Sequence, residues 1–401
     1  MLGIEPDDQL SPGALQKVVY AGATAPSFAQ AERDLAEEAE LSVSSARVRR
    51  ATERIGRARS SERRRGVERW RQLPLPAQRR SPHDHIPAVA CVQVDGGRVQ
   101  IRERCAARPE DASSGFWRES KVACLLRMQS RTSTADPCPQ LPESFANVAR
   151  MAELTREIKG SAGVVVEPEG KPADPEPPRP QRPQVVTRHV IAVRSGVEEF
   201  GQDVAAAAWE AGFVEAPRKA FVADGQAANW TLWRKHFSDY VPVLDFVHAL
   251  CYVFKAAAAG RRLDDLATVY RRWAQWAWEG DLEKLLEGLR ERQAELGEPE
   301  PDDAETHPRQ VLAEARQYLE NQRSRMHYAE YRRQGLPITS AYVESTIKQL
   351  NRRVKGSEKF WSEAGAEALL QLAADYLSDR APLDRFWRQR PERCNGTRCY
   401  H

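Results

Sequence analysis

The spacing of apolar positions divides the chain into a helical front, a strand-rich middle and a largely helical back. Ser27 to Leu41 sets Phe28, Ala31, Leu35 and Ala39 at helical intervals, and Ser45 to Ile55 sets Val48, Ala51 and Ile55 on one face. Ser42-Val43-Ser44 breaks the pattern between them, and Gly56 reads as the stop of the second helix. From His85 onward the period falls to two. Ala88 to Val94 and Arg98 to Arg102 read as strands joined at Gly96-Gly97, a two-residue hairpin signal, with Lys121 to Met128 extending the meander. Residues 160–188 then carry seven prolines between Pro168 and Pro183 among acids and arginines. Such a segment cannot bury a core, and it reads as a disordered or polyproline-like excursion inside a domain.

Strand sequence resumes at Arg188 to Val193. An amphipathic helix follows over Glu198 to Ala211, with Phe200, Val204, Ala208 and Ala211 inward and Gly212 closing it. Two more apolar runs end in acids: Lys219 to Ala223 before Asp224, and Tyr240 to Leu244 before Asp245. Residues 249–335 read as helical, with Trp273, Trp276, Trp278, Leu282, Leu285, Leu286 and Leu289 as core. Pro337 and Ser340 mark a further helix start, with Val343, Ile347 and Leu350 as its buried stripe. Glu344 stands at the edge of that stripe.

Composition narrows the classes. A chain of 401 residues predicts two domains or one enlarged one, and 41% hydrophobic content with ten Trp predicts a packed globule. No run approaches the ~20 apolar residues of a membrane span. The first residues lack the basic-then-apolar order of a signal peptide, so a cytoplasmic protein without a membrane is expected. Seven cysteines without a C-x-x-C pair predict reduced thiols. The net charge of +3 decides little, but its distribution does. Thirteen arginines between Arg47 and Arg80 face only Glu53, Glu62 and Glu68, an excess suited to neutralising phosphates. Arg47, Arg50 and Arg54 lie together beside the apolar face of the second helix. Two helices about a tight turn, the second presenting arginines, sketch a helix-turn-helix; a helical hairpin with solvated arginines fits the same pattern.

The chemistry gathers on carboxylates. Asp95 and Asp224 end strand-like runs, and Glu344 sits on a helix able to cross to them. Acids so placed can hold two divalent cations that act on the oxygens of a phosphodiester. Asp245, also at a strand end, is the alternative second acid. Glu344 and Lys348 equally suit a surface i,i+4 pair worth only ~0.2–0.5 kcal/mol. Three antiparallel strands, a helix and further strands with acids at their ends follow the order of an α/β ribonuclease H-like core.

Residues 219–248, from Lys-Ala-Phe-Val-Ala-Asp-Gly through Trp230 to Pro-Val-Leu-Asp-Phe-Val-His, resemble a bacterial insertion-sequence transposase of the ISKra group, a relative of Mutator-like and hAT-like transposases. So do Tyr328 to Ser345, Lys348 and Arg352-Arg353-Val354-Lys355-Gly356, although Ala341 stands where the motif has glycine. The resemblance runs from about residue 20 to about 390. It implies a DDE triad of Asp95, Asp224 and Glu344 holding two Mg²⁺ ions, which Mn²⁺ could replace, ~4 Å apart. It further implies cleavage and strand transfer on double-stranded DNA, at the element's ends and its target, by a homo-oligomer at the bacterial nucleoid. Asp245 and His248 match an acid, two residues, histidine motif that would support the metal site or the DNA backbone. A zinc site would need further His or Cys ligands. Lys348 would support the third acid, and Arg352, Arg353 and Lys355 would grip phosphates near the cut.

The domains implied are a helical, arginine-rich DNA-binding region over 1–80 and a first core part over 85–248. An all-helical insertion over 249–335, core helices over 336–380 and a tail over 381–401 complete them. A nuclease or resolvase without strand transfer, and a DNA-binding descendant without chemistry, remain the alternatives. Deleting Pro168 to Pro183 is expected to leave the melting temperature nearly unchanged; a large drop would show that the segment packs.

Overall fold

The computed structural model describes residues 10–102, 116–159, 182–356, 359–379 and 382–390. Strands β1 (Val89–Gln100), β2 (Trp117–Gln129), β3 (Gln184–Val193), β4 (Lys219–Ala223) and β5 (Val241–Leu244) form one mixed sheet in the order β3-β2-β1-β4-β5. β2 pairs antiparallel with β1 and β3, whereas β1, β4 and β5 pair parallel. Val89 to Val94 are buried at every position, not at alternate ones, as expected of a strand covered on both faces.

Four helices precede the sheet: α1 (Pro12–Thr24), α2 (Phe28–Ala39), α3 (Ser45–Arg71) and the short α4 (Leu75–Gln78). α5 (Glu143–Ala146) and α6 (Val148–Lys159) follow β2. α7 (Val197–Glu210) joins β3 to β4, and α8 (Ala227–His236) joins β4 to β5. Next come α9 (Phe246–Ala258), α10 (Leu263–Glu279), α11 (Leu282–Leu296), α12 (Pro308–Gln322) and α13 (Tyr328–Arg333). α14 (Ala341–Val354), α15 (Glu363–Tyr376) and α16 (Pro382–Gln389) complete the described chain. Its mixed α/β architecture agrees with the pattern of periodicity. Among the described residues no helix is long and apolar enough to cross a membrane.

Three local expectations are corrected. Gly96 and Gly97 do not turn the chain; β1 runs through them, with Gly96 opposite Lys121 and Gly97 opposite Ser120. Neither glycine has the positive φ that a two-residue turn requires. β3 begins at Gln184, so the end of the proline-rich segment enters the sheet and pairs with β2 from Gln129 onward. Residues 160–181 and most of the tail lie outside the described residues. The third correction is Gly56, which does not stop its helix: α3 is 27 residues long and passes straight through it.

Gly56 marks a helix crossing. A Cβ there would lie 2.3 Å from the Ala368 carbonyl oxygen of α15, so only glycine allows this approach. Arg59, 7% exposed, reinforces the crossing through Asp375 at 2.9 and 3.1 Å, and also pairs with Glu62 on its own helix. Arg63 reaches Glu367 at 3.0 Å, Gln371 at 2.6 Å and, on α7, Asp203 at 3.2 Å. Part of the arginine run is therefore an internal fastener of α3.

Gly→Ala in a helix interior normally stabilises by ~1 kcal/mol. At Gly56 the clash reverses the sign, and Gly56→Ala is expected to destabilise by about 1–3 kcal/mol in urea unfolding. An unchanged or raised midpoint would show that α3 and α15 can part without cost.

Candidate metal centre

The sheet register assembles the acids. Val94 pairs with Ala223, and Ala223 with Leu244, at the last rungs of the two parallel ladders. Asp95, Asp224 and Asp245 are the next residue of each strand. Asp224 and Asp245 therefore leave β4 and β5 at one edge, where open α/β sheets place their ligands. Asp95 lies level with them but inside β1, which continues to Gln100, and so does not end its strand as the sequence suggested.

Asp245 is fully buried, and both of its oxygens are occupied. Oδ1 accepts from the His248 backbone N–H at 2.7 Å and lies 2.9 Å from His248 Nδ1. Oδ2 accepts from the Ser340 N–H at 2.6 Å and the Ser340 hydroxyl at 2.9 Å. Asp245 thus caps α9 and holds the start of α14, joining two helix N-termini with one carboxylate. A second anchor comes from β1. Buried Gln93 donates to the Thr339 carbonyl at 2.9 Å and accepts from the Val343 N–H at 3.1 Å. Burial alone would raise the Asp245 carboxyl, but its hydrogen bonds to His248 and Ser340 hold it below the usual range. Burial works against a charged His248, yet the contact with Asp245 raises its pKa.

Glu344 lies in the first turn of α14, where the helix dipole favours an acid. Its Oε1 is 2.7 Å from the Ser340 hydroxyl, which is also 2.9 Å from Asp245. One hydroxyl proton cannot serve two carboxylates at once. Burial and the charge of Asp245 raise the Glu344 carboxyl above its usual range, against the Ser340 hydroxyl, which lowers it. Asp245, His248 and Glu344 each bring a ligand atom within 4.8 Å of the others. Among the described residues that tight group includes neither Asp95 nor Asp224. Their electrostatics nevertheless tie the sets together. Burial, then the charges of Asp224 and Glu344, push the Asp95 carboxyl up to about 6 against the opposing Gly96 N–H and His248.

Asp95 Oδ1 accepts from Gly96 at 2.6 Å. Asp224, 6% exposed, accepts at Oδ1 from the Gln226 N–H at 3.0 Å and the Asn229 amide at 2.8 Å. In Asp95, Asp224 and Glu344 one oxygen is held, and among the described residues the other accepts no hydrogen bond. Asp245 differs, with both oxygens filled by donors. Three carboxylates with open oxygens suit a hard divalent cation, whereas ligation by Asp245 would require breaking the contacts that anchor α14. Among the described residues this group holds one His and no Cys.

The helical block reaches this edge as well. The Tyr318 ring on α12 occupies the space of a Gly225 Cβ, 2.3 Å away, and Gln322 Nε2 lies 3.3 Å from the Gly225 carbonyl. Tyr318 stacks on Tyr252, one turn beyond His248 on α9, at 3.7 Å. Periodicity alone gave no hint of these contacts. Gln93 did carry a signal, as the one polar side chain between Val89 and Val94.

The basic residues divide. Lys348 pairs with Glu157 at 2.7 Å, not with Glu344. Arg353 is not available to grip phosphate: it is 3% exposed, donates to the Gly22 carbonyl at 2.9 and 3.0 Å and lies over Phe28 and Trp361. That carbonyl is in the last turn of α1 and would otherwise lack a helical partner. Arg352 and Lys355 are exposed, Arg50 is exposed, and Arg47 and Arg54 are half-buried. No family model matches the chain, and no curated protein matches it.

The raised Asp95 pKa makes ionisation harder in the folded state, so its charge costs stability above about pH 6 and less as pH falls through that value. Asp95→Asn is therefore expected to melt above the parent at about pH 8, with the gap closing toward about pH 4. A pH-independent gap in calorimetry would show that Asp95 is no harder to ionise in the folded state.

Proposed function

We propose that the chain is a metal-dependent DNA transposase of the DDE type that cuts DNA and transfers strands at the ends of an insertion sequence. The observation that carries the reading is the contrast among the acids: Asp95, Asp224 and Glu344 each keep an open oxygen, while Asp245 has none. The strand order β3-β2-β1-β4-β5 with only β2 reversed supports a ribonuclease H-like core. The helices between β5 and α14 stand where the resemblance to ISKra-group transposases puts an all-helical insertion.

In this reading Asp95, Asp224 and Glu344 hold Mg²⁺, or Mn²⁺ in its place. Bound ions of this kind supply Lewis-acid activation of the attacking oxygen and offset charge on the leaving oxygen. The protein's part is pre-orientation. Asn229 and the Gln226 N–H fix the Asp224 carboxylate, so its open oxygen is set before any ligand arrives. Asp245 and Gln93 fix the N-terminus of α14 and with it Glu344. His248 has Nδ1 against Asp245, which leaves Nε2 to face a phosphate or water. Double-stranded DNA is the partner, and the synaptic complex would contain more than one copy of the chain.

Asp224→Asn keeps the shape of the side chain but removes its charge. It is expected to abolish Mg²⁺-dependent cleavage and strand transfer of terminal-repeat DNA while leaving DNA affinity nearly intact. Residual activity in Asp224→Asn together with complete loss in Asp245→Asn would exchange the two roles. Cleavage by the parent without any joined product would leave a nuclease.

A further inference from the structure

We infer that the outward face of α3 is a rail for the sugar–phosphate backbone of duplex DNA, gripping any sequence along its length. The inference rests on the DNA partner proposed above but not on the metal chemistry. α3 carries eleven arginines and no lysine. Arg50, Arg57, Arg64 and Arg71 are all exposed and recur every seven residues, which is close to two helical turns, so they fall in one stripe. Arg49, Arg65 and Arg69 are exposed beside it. At 1.5 Å per residue the stripe is ~32 Å long, close to the ~34 Å of one turn of B-form DNA.

The opposite face is fixed. Gly56, Arg59 and Arg63 bind it to α15, and Arg63 also to α7, so the stripe is mounted on the folded body. Among the described residues Arg49, Arg50, Arg64, Arg65 and Arg69 form no ion pair. Arg57 has only Glu53 at 3.7 Å, and Arg71 only Glu68 at 3.2 Å, both on the same helix. Exposed pairs of this kind contribute little and yield readily to a phosphate. Arginine also fits phosphate through a two-pronged contact that lysine cannot make.

The other polyanions fit less well. No exposed position of α3 carries a large apolar side chain, so nothing on this face would enter a bilayer. A protein partner would be expected to find apolar or aromatic anchors at the centre of the patch, and none stands there. The rail also differs from a helix-turn-helix reader. Base reading would concentrate on a few residues at the start of the helix, whereas this stripe runs its whole length.

The test is binding of the full-length protein to fluorescent duplexes, one of terminal-repeat and one of scrambled sequence, over a salt series. The combined variant Arg50→Gln, Arg57→Gln, Arg64→Gln and Arg71→Gln is expected to lose more than about tenfold in affinity for both duplexes. Its salt dependence should flatten by about 3–4 in log–log slope, as for four lost phosphate contacts. Arg290→Gln with Arg323→Gln, on exposed helix surface elsewhere, should change neither quantity, and circular dichroism should show all variants folded. Parental affinity and slope in the fourfold variant overturn the rail, as does a loss confined to the terminal repeat. Tighter binding of the parent to phosphatidylserine vesicles than to duplex would overturn it in favour of a membrane. Cleavage measured in parallel separates the readings. A parent that cuts DNA while the fourfold variant binds normally defeats the rail alone, and stripe-dependent binding without any cleavage defeats the transposase reading alone.

Discussion

One buried carboxylate organises the site. Asp245 has no exposed surface, and an ionised acid in such a place is strongly unfavourable unless its oxygens are filled. They are filled by His248 and by Ser340, residues that begin two helices. The hydrogen bonds from His248 and Ser340 at the two helix starts offset the desolvation, and the result is geometric. β5, α9 and α14 meet at a single point, and Glu344 is held one turn from it. Removing the Asp245 charge would loosen the N-termini of both α9 and α14.

Around that point the fold keeps like charges close together. Burial raises the Asp95 carboxyl most, and the charges of Asp224 and Glu344 add to it. Helix starts moderate it, because α9 and α14 both present their positive ends at this edge. The helical block is coupled to the same edge through Tyr318 over Gly225 and Tyr318 on Tyr252, so a shift of α12 would be felt next to Asp224.

Arginine serves two opposite purposes here. Arg59, Arg63 and Arg353 are drawn inside, where carboxylates and an orphan helix carbonyl accept their hydrogen bonds and aromatic rings lie against the Arg353 guanidinium. Arg50, Arg57, Arg64 and Arg71 stay in water on the far side of the same long helix. Burial on one face makes the other a rigid array of charge in place of a flexible tail.

Local pattern alone located the strands before Asp95, Asp224 and Asp245, the helix closed by Gly212 and the helix that begins at Ser340. These features depend on neighbours within a few residues, where alternation, capping and glycine act directly. It did not determine what Gly96, Gly97 and Gly56 do, because a glycine permits a turn, a straight strand and a tight crossing equally. The partners Ser120 and Ala368 chose among them. Nor could it separate Arg353 from Arg352, or Asp245 from Asp224, since adjacent arginines and successive strand-end acids look alike in a row of letters. The distinction lies in contacts with Gly22 and Ser340, far away along the chain. Short-range sterics are written in the order of residues, whereas which oxygens remain open at a site depends on donors that only folding brings near.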